Sequence, residues 1–177
     1  MTEGINWAAP IEPGKAMLGL SIGMRVESVK KMLRVSGESS CEVIKFQNSP
    51  RMLVDCSKDG VILFRAADVV NAVYAWQDVF ARLIFDQGIL RSIIVLTHIG
   101  DDAHQYKGKM FDRFGLGSRV ADLLEYGPVE YDEADEVFFS LSLKGLEVAG
   151  TSSCDLSIDP EQTATFIRVF QSESCVA

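Results

Sequence analysis

Apolar and polar positions alternate through most of the first hundred residues. "CEVIKF" and "RMLVDC" predict two strands, near 43–46 and 52–56, joined by a turn at Asn48–Pro50. "GVILFR" follows Lys58–Gly60 and predicts a third, near 61–65. "VFARLIFDQGILRSIIVLTH" is the clearest hairpin. Strands near 80–85 and 89–97 flank Asp86-Gln87-Gly88, where glycine supplies a positive φ. Ile93 to Leu96 are apolar on consecutive positions, which predicts a central strand covered on both faces. Further strands are expected near 137–142 and 145–149. "AADVVNAVYAWQ" fits strand by its β-branched residues and helix by its alanines.

Helical spacing is rarer. Val26, Val29, Met32 and Leu33 share one face and predict a helix near 25–34. A second is expected near 119–125. Asp159 as cap, Pro160 at the first helical position and Glu161 and Gln162 in the first turn predict a third over 160–171. Its stripe of Thr165, Phe166, Val169 and Phe170 would face the core.

One phrase occurs twice. "LSIGMRVESVKKML" (20–33) and "FGLGSRVADLLEYG" (114–127) align at an offset of 94, pairing Gly23 with Gly117, Arg25 with Arg119 and Val26 with Val120. Each leads to a strand after a Lys-(Asp)-Gly turn, in "SKDGVILF" and "LKGLEVAG". A bend at glycine, a polar cap and a buried valine give both copies one physical logic. The expectation is a single α+β domain over 1–177, a mostly antiparallel sheet of hairpins and meanders with short packed helices. A weak internal duplication would relate halves of about 15–98 and 99–177.

Apolar residues make up 47% of the 177, enough to build one core. No apolar run reaches the ~18 residues of a membrane span, and the N-terminus lacks a basic start followed by an apolar stretch. A cytoplasmic protein is expected. Cys41, Cys56, Cys154 and Cys175 form no CxxC pair, and His98 and His104 miss helical zinc-ligand spacing. No phosphate loop or nucleophile elbow occurs. Neither a cofactor, a metal nor an enzymatic activity is expected.

Charge changes the picture. The net charge is −8, and residues 117–177 carry 12 acids against 3 bases. Nucleic-acid binding needs cationic surface to displace counterions, so this distribution argues against it and for a basic partner or solubility alone. "EYGPVEYDEADEVFF" (125–139) concentrates the acids: Glu125, Glu130, Asp132, Glu133, Asp135 and Glu136, with no Lys or Arg. The segment lacks the glycine bend of a calcium loop and any sign of a desolvated carboxylate pair. A solvated loop and a recognition surface both remain. Tyr126 and Tyr131 favour the second, because tyrosine among acids is the rigid aromatic that interfaces enrich. The candidate contact residues are Tyr126, Glu130, Tyr131, Asp132, Glu133, Asp135 and Glu136, facing solvent.

"IEPGKAMLGLSIGMRVESV", the following meander, "YKGKMFDRFGLGSRVADLLEYGPVEYDEADEVFF" and "LKGLEVAG" resemble immunity proteins of contact-dependent growth inhibition and related polymorphic toxin systems. The match runs over about residues 10–150. It departs where Ala134 interrupts the acids and where no aromatic follows Lys144-Gly145. The helix-then-meander plan is also similar to tandem units of bacterial enzyme inhibitors and of small outer-membrane assembly lipoproteins. The resemblance implies inhibition by binding. The partner would be a cognate toxin C-terminal domain of nuclease type, its basic cleft covered by the acidic surface, and the inhibitor a monomer or weak dimer. The alternative is a ligand-binding or scaffold domain without a toxin.

Overall fold

The structure, a computed structural model, describes residues 4–35, 41–67, 78–98 and 103–172. Most of "AADVVNAVYAWQ" and the whole of Cys175 lie outside the described residues.

The protein is α+β, built on a mostly antiparallel sheet with short helices. A small ribbon comes first, β1 (Ala16–Met17) against β2 (Leu20–Ser21), followed by helix α1 (Val26–Leu33). A five-strand meander then runs through β3 (Cys41–Lys45), β4 (Arg51–Asp55), β5 (Val61–Ala66), β6 (Val79–Asp86) and β7 (Ile89–Leu96). A 3₁₀ helix (Val120–Tyr126) precedes β8 (Glu130–Asp132), β9 (Val137–Phe139), β10 (Leu146–Gly150) and β11 (Ala164–Phe170). The sheet order is β3-β4-β5-β6-β7-β11-β10-β9-β8, so the two meanders meet at β7 and β11.

The β6–β7 turn is as the sequence predicts. Gln87 and Gly88 take φ of +50° and +74° between paired Asp86 and Ile89. Two successive positive φ values match the right-handed strand twist, so the register is set locally. β7 is the fifth of nine strands, and Ser92, Ile93, Ile94 and Val95 are all buried, as expected of a central strand.

The expected helix over 160–171 is instead β11. Asp159 does cap, but through an Asx-turn: its Oδ1 accepts the Glu161 N–H at 3.2 Å. β-Branched Thr165, Ile167 and Val169 then favour extended backbone, and β11 pairs on both sides, with β7 and β10. Two ladders of hydrogen bonds outweigh a one-turn helix signal. The predicted stripe breaks up with it. Ile167 and Val169 are fully buried, while Phe166 and Phe170 lie half-buried on the opposite face. The helix expected at 119–125 is a 3₁₀ helix, and β8 and the β1–β2 ribbon were not anticipated.

Two side-chain rows cross the sheet, one on each face. The inner row runs Glu42, Val54, Phe64, Ala81, Val95, Ile167, Val148, Phe138 and Tyr131. From Val54 to Phe138 it is buried, joining the core with Trp7, Leu18, Leu20, Val29, Leu33, Val120 and Leu123. The outer row runs Cys41, Asp55, Leu63, Arg82, Ile94, Arg168, Glu147, Phe139 and Glu130. Directly opposed residues share a face, so helices and N-terminal segment cover one side, and the other carries arginines among apolar side chains.

The repeated phrases take one backbone form. Gly23 and Gly117 sit at φ of +89° and +81°, and Arg25 and Arg119 are extended N-caps. Neither cap is a side chain. The backbone serves: Gly23 N–H donates to Leu90 O at 2.8 Å and Val26 N–H to Gly88 O at 2.8 Å. Gly117 and Val120 donate likewise to Ala164 O at 2.8 Å and Gln162 O at 3.0 Å. Each phrase thus docks at the start of one of the two strands that meet at the centre. Upstream, the bridged pairs Glu12–Ala16 and Met110–Phe114 close two similar tight loops without sharing a residue type in sequence.

Candidate protein-recognition site

β8 and β9 form the last hairpin of the sheet, and β8 is its free edge. The stretch 133–136 is the hairpin tip. Asp132 closes it from within, its Oδ1 accepting the Ala134 N–H at 2.8 Å and the Asp135 N–H at 3.4 Å. This is the self-hydrogen-bonded turn for which Asp is suited. Glu136 ends the tip at φ +55° and accepts the Ser153 hydroxyl at 2.9 Å. Asp132 and Glu136 therefore shape the hairpin. Glu130, Glu133 and Asp135 are exposed, with no ion-pair partner among the described residues.

The two tyrosines sit differently from the expectation that both simply face solvent. Tyr131 belongs to the inner row. It is half-buried, its ring 4.8 Å from that of Phe138, which is fully buried. Partial burial, then the carboxylate of Glu136, holds its phenol pKa above the ordinary value. Tyr126 ends the 3₁₀ helix, half-buried, and its ring lies 5.2 Å from Phe111.

Phe111 is the residue that sequence reading missed. It is 63% exposed and sits at φ +50°, followed by Asp112 at φ +59°. The Arg113 N–H donates to Met110 O at 3.0 Å, closing a turn of the mirror-image type that Asn-Gly favours. A bulky side chain at positive φ is strained by ~1 kcal/mol or more, and such strain collects at functional positions. The available signal was one of phase. Met110 and Phe114, flanking it, are buried, so Phe111 is an aromatic one position out of step with the core.

Around this pair the surface is mixed. Leu124 is exposed on the 3₁₀ helix, and Arg113 meets Glu125 at 3.2 Å. Gly127 backs so closely onto Ser142 that a Cβ would approach its Oγ to 2.5 Å, which brings the helix end against the turn bearing exposed Leu141. An aromatic and aliphatic area thus lies at the end of the β8–β9 hairpin away from its tip. Pro10, Ile11, Pro13 and Phe111 also line a shallow groove of about 380 Å³ between the two tight loops.

Among the described residues no group of three His, Cys, Asp or Glu could hold a metal ion, and no helix is long and apolar enough to cross a membrane. His98 caps the central strand, its Nε2 2.8 Å from Val79 O and its ring edge-on to Phe80. No family model matches the chain, and no curated protein or solved structure is significantly similar to it.

Proposed function

We propose that this chain is a cytoplasmic immunity protein that binds and neutralises a basic toxin domain of nuclease type, covering its cationic cleft with the β8–β9 hairpin. The observation that carries the reading is the exposed, unpaired trio Glu130, Glu133 and Asp135, held on a hairpin whose shape is fixed by Asp132 and Glu136. Acids crowded on one hairpin repel each other, and a cationic partner relieves that repulsion. Their field steers the partner inward, which raises association rates by orders of magnitude at low salt. Phe111 and Tyr126, on the chain leading into the hairpin, supply the aromatic anchor, the residue type in which interfaces concentrate binding energy.

The test is co-expression with a toxin domain found encoded in the neighbouring reading frame, reading growth. Rescue by the wild type and loss of rescue on reversing the trio to Lys support the proposal; unchanged rescue by the reversed protein removes it. A second reading rests on β8 being the free edge of the sheet. Charged residues on an edge strand block pairing with another chain, and on that reading the reversed protein stays protective, while a neutral variant, with the trio changed to Gln, aggregates.

A further inference from the structure

On the outer face of the sheet one side chain lacks, among the described residues, what its neighbours have. Arg65 meets Asp55 at 3.3 Å and Asp78 at 2.8 Å, and Arg168 meets Glu147 at 3.0 Å. Arg82 lies between Leu63 and Ile94 across the strands, half-buried, and its Nε is buried without an acceptor. Among the described residues it has neither a carboxylate nor a carbonyl partner. A buried N–H without an acceptor is unfavourable until one reaches it.

The same row carries that anion elsewhere. Counted outward from the line between β7 and β11, the two halves present Ile94 against Arg168, then Arg82 against Glu147, then Leu63 against Phe139. A two-fold axis along that line, in the plane between two facing sheets, sets Arg82 of each copy opposite Glu147 of the partner subunit, and Leu63 opposite an aromatic ring. Glu147 can accept the contact: Arg168 takes its Oε2, and no donor among the described residues meets its Oε1. Stacked sheets lie ~10 Å apart, a gap that Arg and Glu reaching from opposite sides can span. The row's outermost acids would also be brought together, but aligned sheets rotate by ~30°, which carries the margins apart. Without its margins the face has a footprint on the order of 600 Å², somewhat below the ~800 Å² that a standard interface buries per partner.

We propose that the outer face of the sheet is a self-association surface, on which two copies of this chain pack face to face and Arg82 of each pairs with Glu147 of the other. The proposal goes beyond the immunity reading. It uses the middle of the sheet and leaves the hairpin tip at the margin.

Sedimentation equilibrium of the full chain over a wide concentration range tests it. The wild type should dimerise. R82E sets like charges against each other at both symmetric contacts, and E147R does the same, so each should weaken the dimer on the order of a hundredfold. An equimolar mixture of the two variants restores opposite charges at both contacts and should dimerise again. A wild type that stays monomeric throughout, a dimer indifferent to R82E, or folded variants that do not complement each other would overturn the proposal. Circular dichroism checks that the variants fold. If E147R does not, because Arg168 loses its partner, the R82E comparison decides alone.

Discussion

Gly14 and Gly145 lie back to back. The Gly14 N–H donates to Gly145 O at 3.2 Å, and a Cβ built on Gly145 would stand 2.5 Å from Gly14 Cα and 2.4 Å from Phe170 O. Gly145 also takes φ +79°. Gly145→Ala therefore meets strain and backbone clash together, and no flexible side chain can move aside. We expect a loss of ~3 kcal/mol or more, read as a lower urea midpoint at unchanged slope. A variant within 1 kcal/mol of wild type would mean that the N-terminal loop is not seated on the sheet.

Tyr106 ties the N-terminal segment down from the other side. Its buried hydroxyl donates to Ala9 O and accepts the Leu18 N–H at 3.3 Å. Tyr106→Phe leaves both backbone groups short of a partner and should cost ~1–3 kcal/mol. Burial also raises the phenol far above its ordinary pKa. The unfolded chain then releases this proton near pH ~10 while the folded chain keeps it. Stability from this group is complete below that pH and falls as the solution becomes more alkaline. Melting temperature against pH should drop less steeply at the alkaline end in Tyr106→Phe.

Phe111 should trade stability for binding. Replacing Phe111-Asp112 by Asn-Gly gives the turn the residues that its two positive φ values favour. We expect a gain of ~1 kcal/mol in unfolding free energy. If Phe111 is the aromatic anchor, toxin dissociation quickens on the order of tenfold or more. Surface plasmon resonance with the toxin domain reads the second effect, and an unchanged off-rate removes Phe111 from the interface.

The acids should separate into two classes. Reversing Glu130, Glu133 and Asp135 to Lys should leave stability within ~0.5 kcal/mol, slow association with a basic toxin and flatten its salt dependence. Asp132→Ala should instead lose ~1 kcal/mol, because it removes the acceptor that closes the hairpin tip. Equal effects on stability from both changes would contradict the division.

The last strand offers a direct check of register. Ile167 points into the core and Phe166 to the outer face. Ile167→Ala should cost ~2–5 kcal/mol and Phe166→Ala clearly less. A helix with a Phe166–Phe170 stripe would give the reverse order.

Sequence alone determined what short-range chemistry controls. Gly88 after Gln87 set the β6–β7 register, consecutive apolar residues from Ile93 marked the central strand, and Gly23 and Gly117 announced two equivalent turns into helices. The acids of 125–139 were equally plain as composition. Tertiary structure decided the rest. Asp159-Pro160 is a valid helix signal locally, but β7 and β10 offered residues 164–170 two hydrogen-bonded edges, and pairing on both sides outweighed it. It also divided the acids, because Glu136 gained its partner only when Ser153 came alongside, whereas Asp132 closes its turn within the segment itself. Arg82, Leu63 and Ile94 lie far apart in the chain, and only strand pairing put that arginine between apolar neighbours, with no carboxylate partner among the described residues. Turns and apolar periods are written within a few residues, whereas a charge's partner is settled by which strands lie side by side.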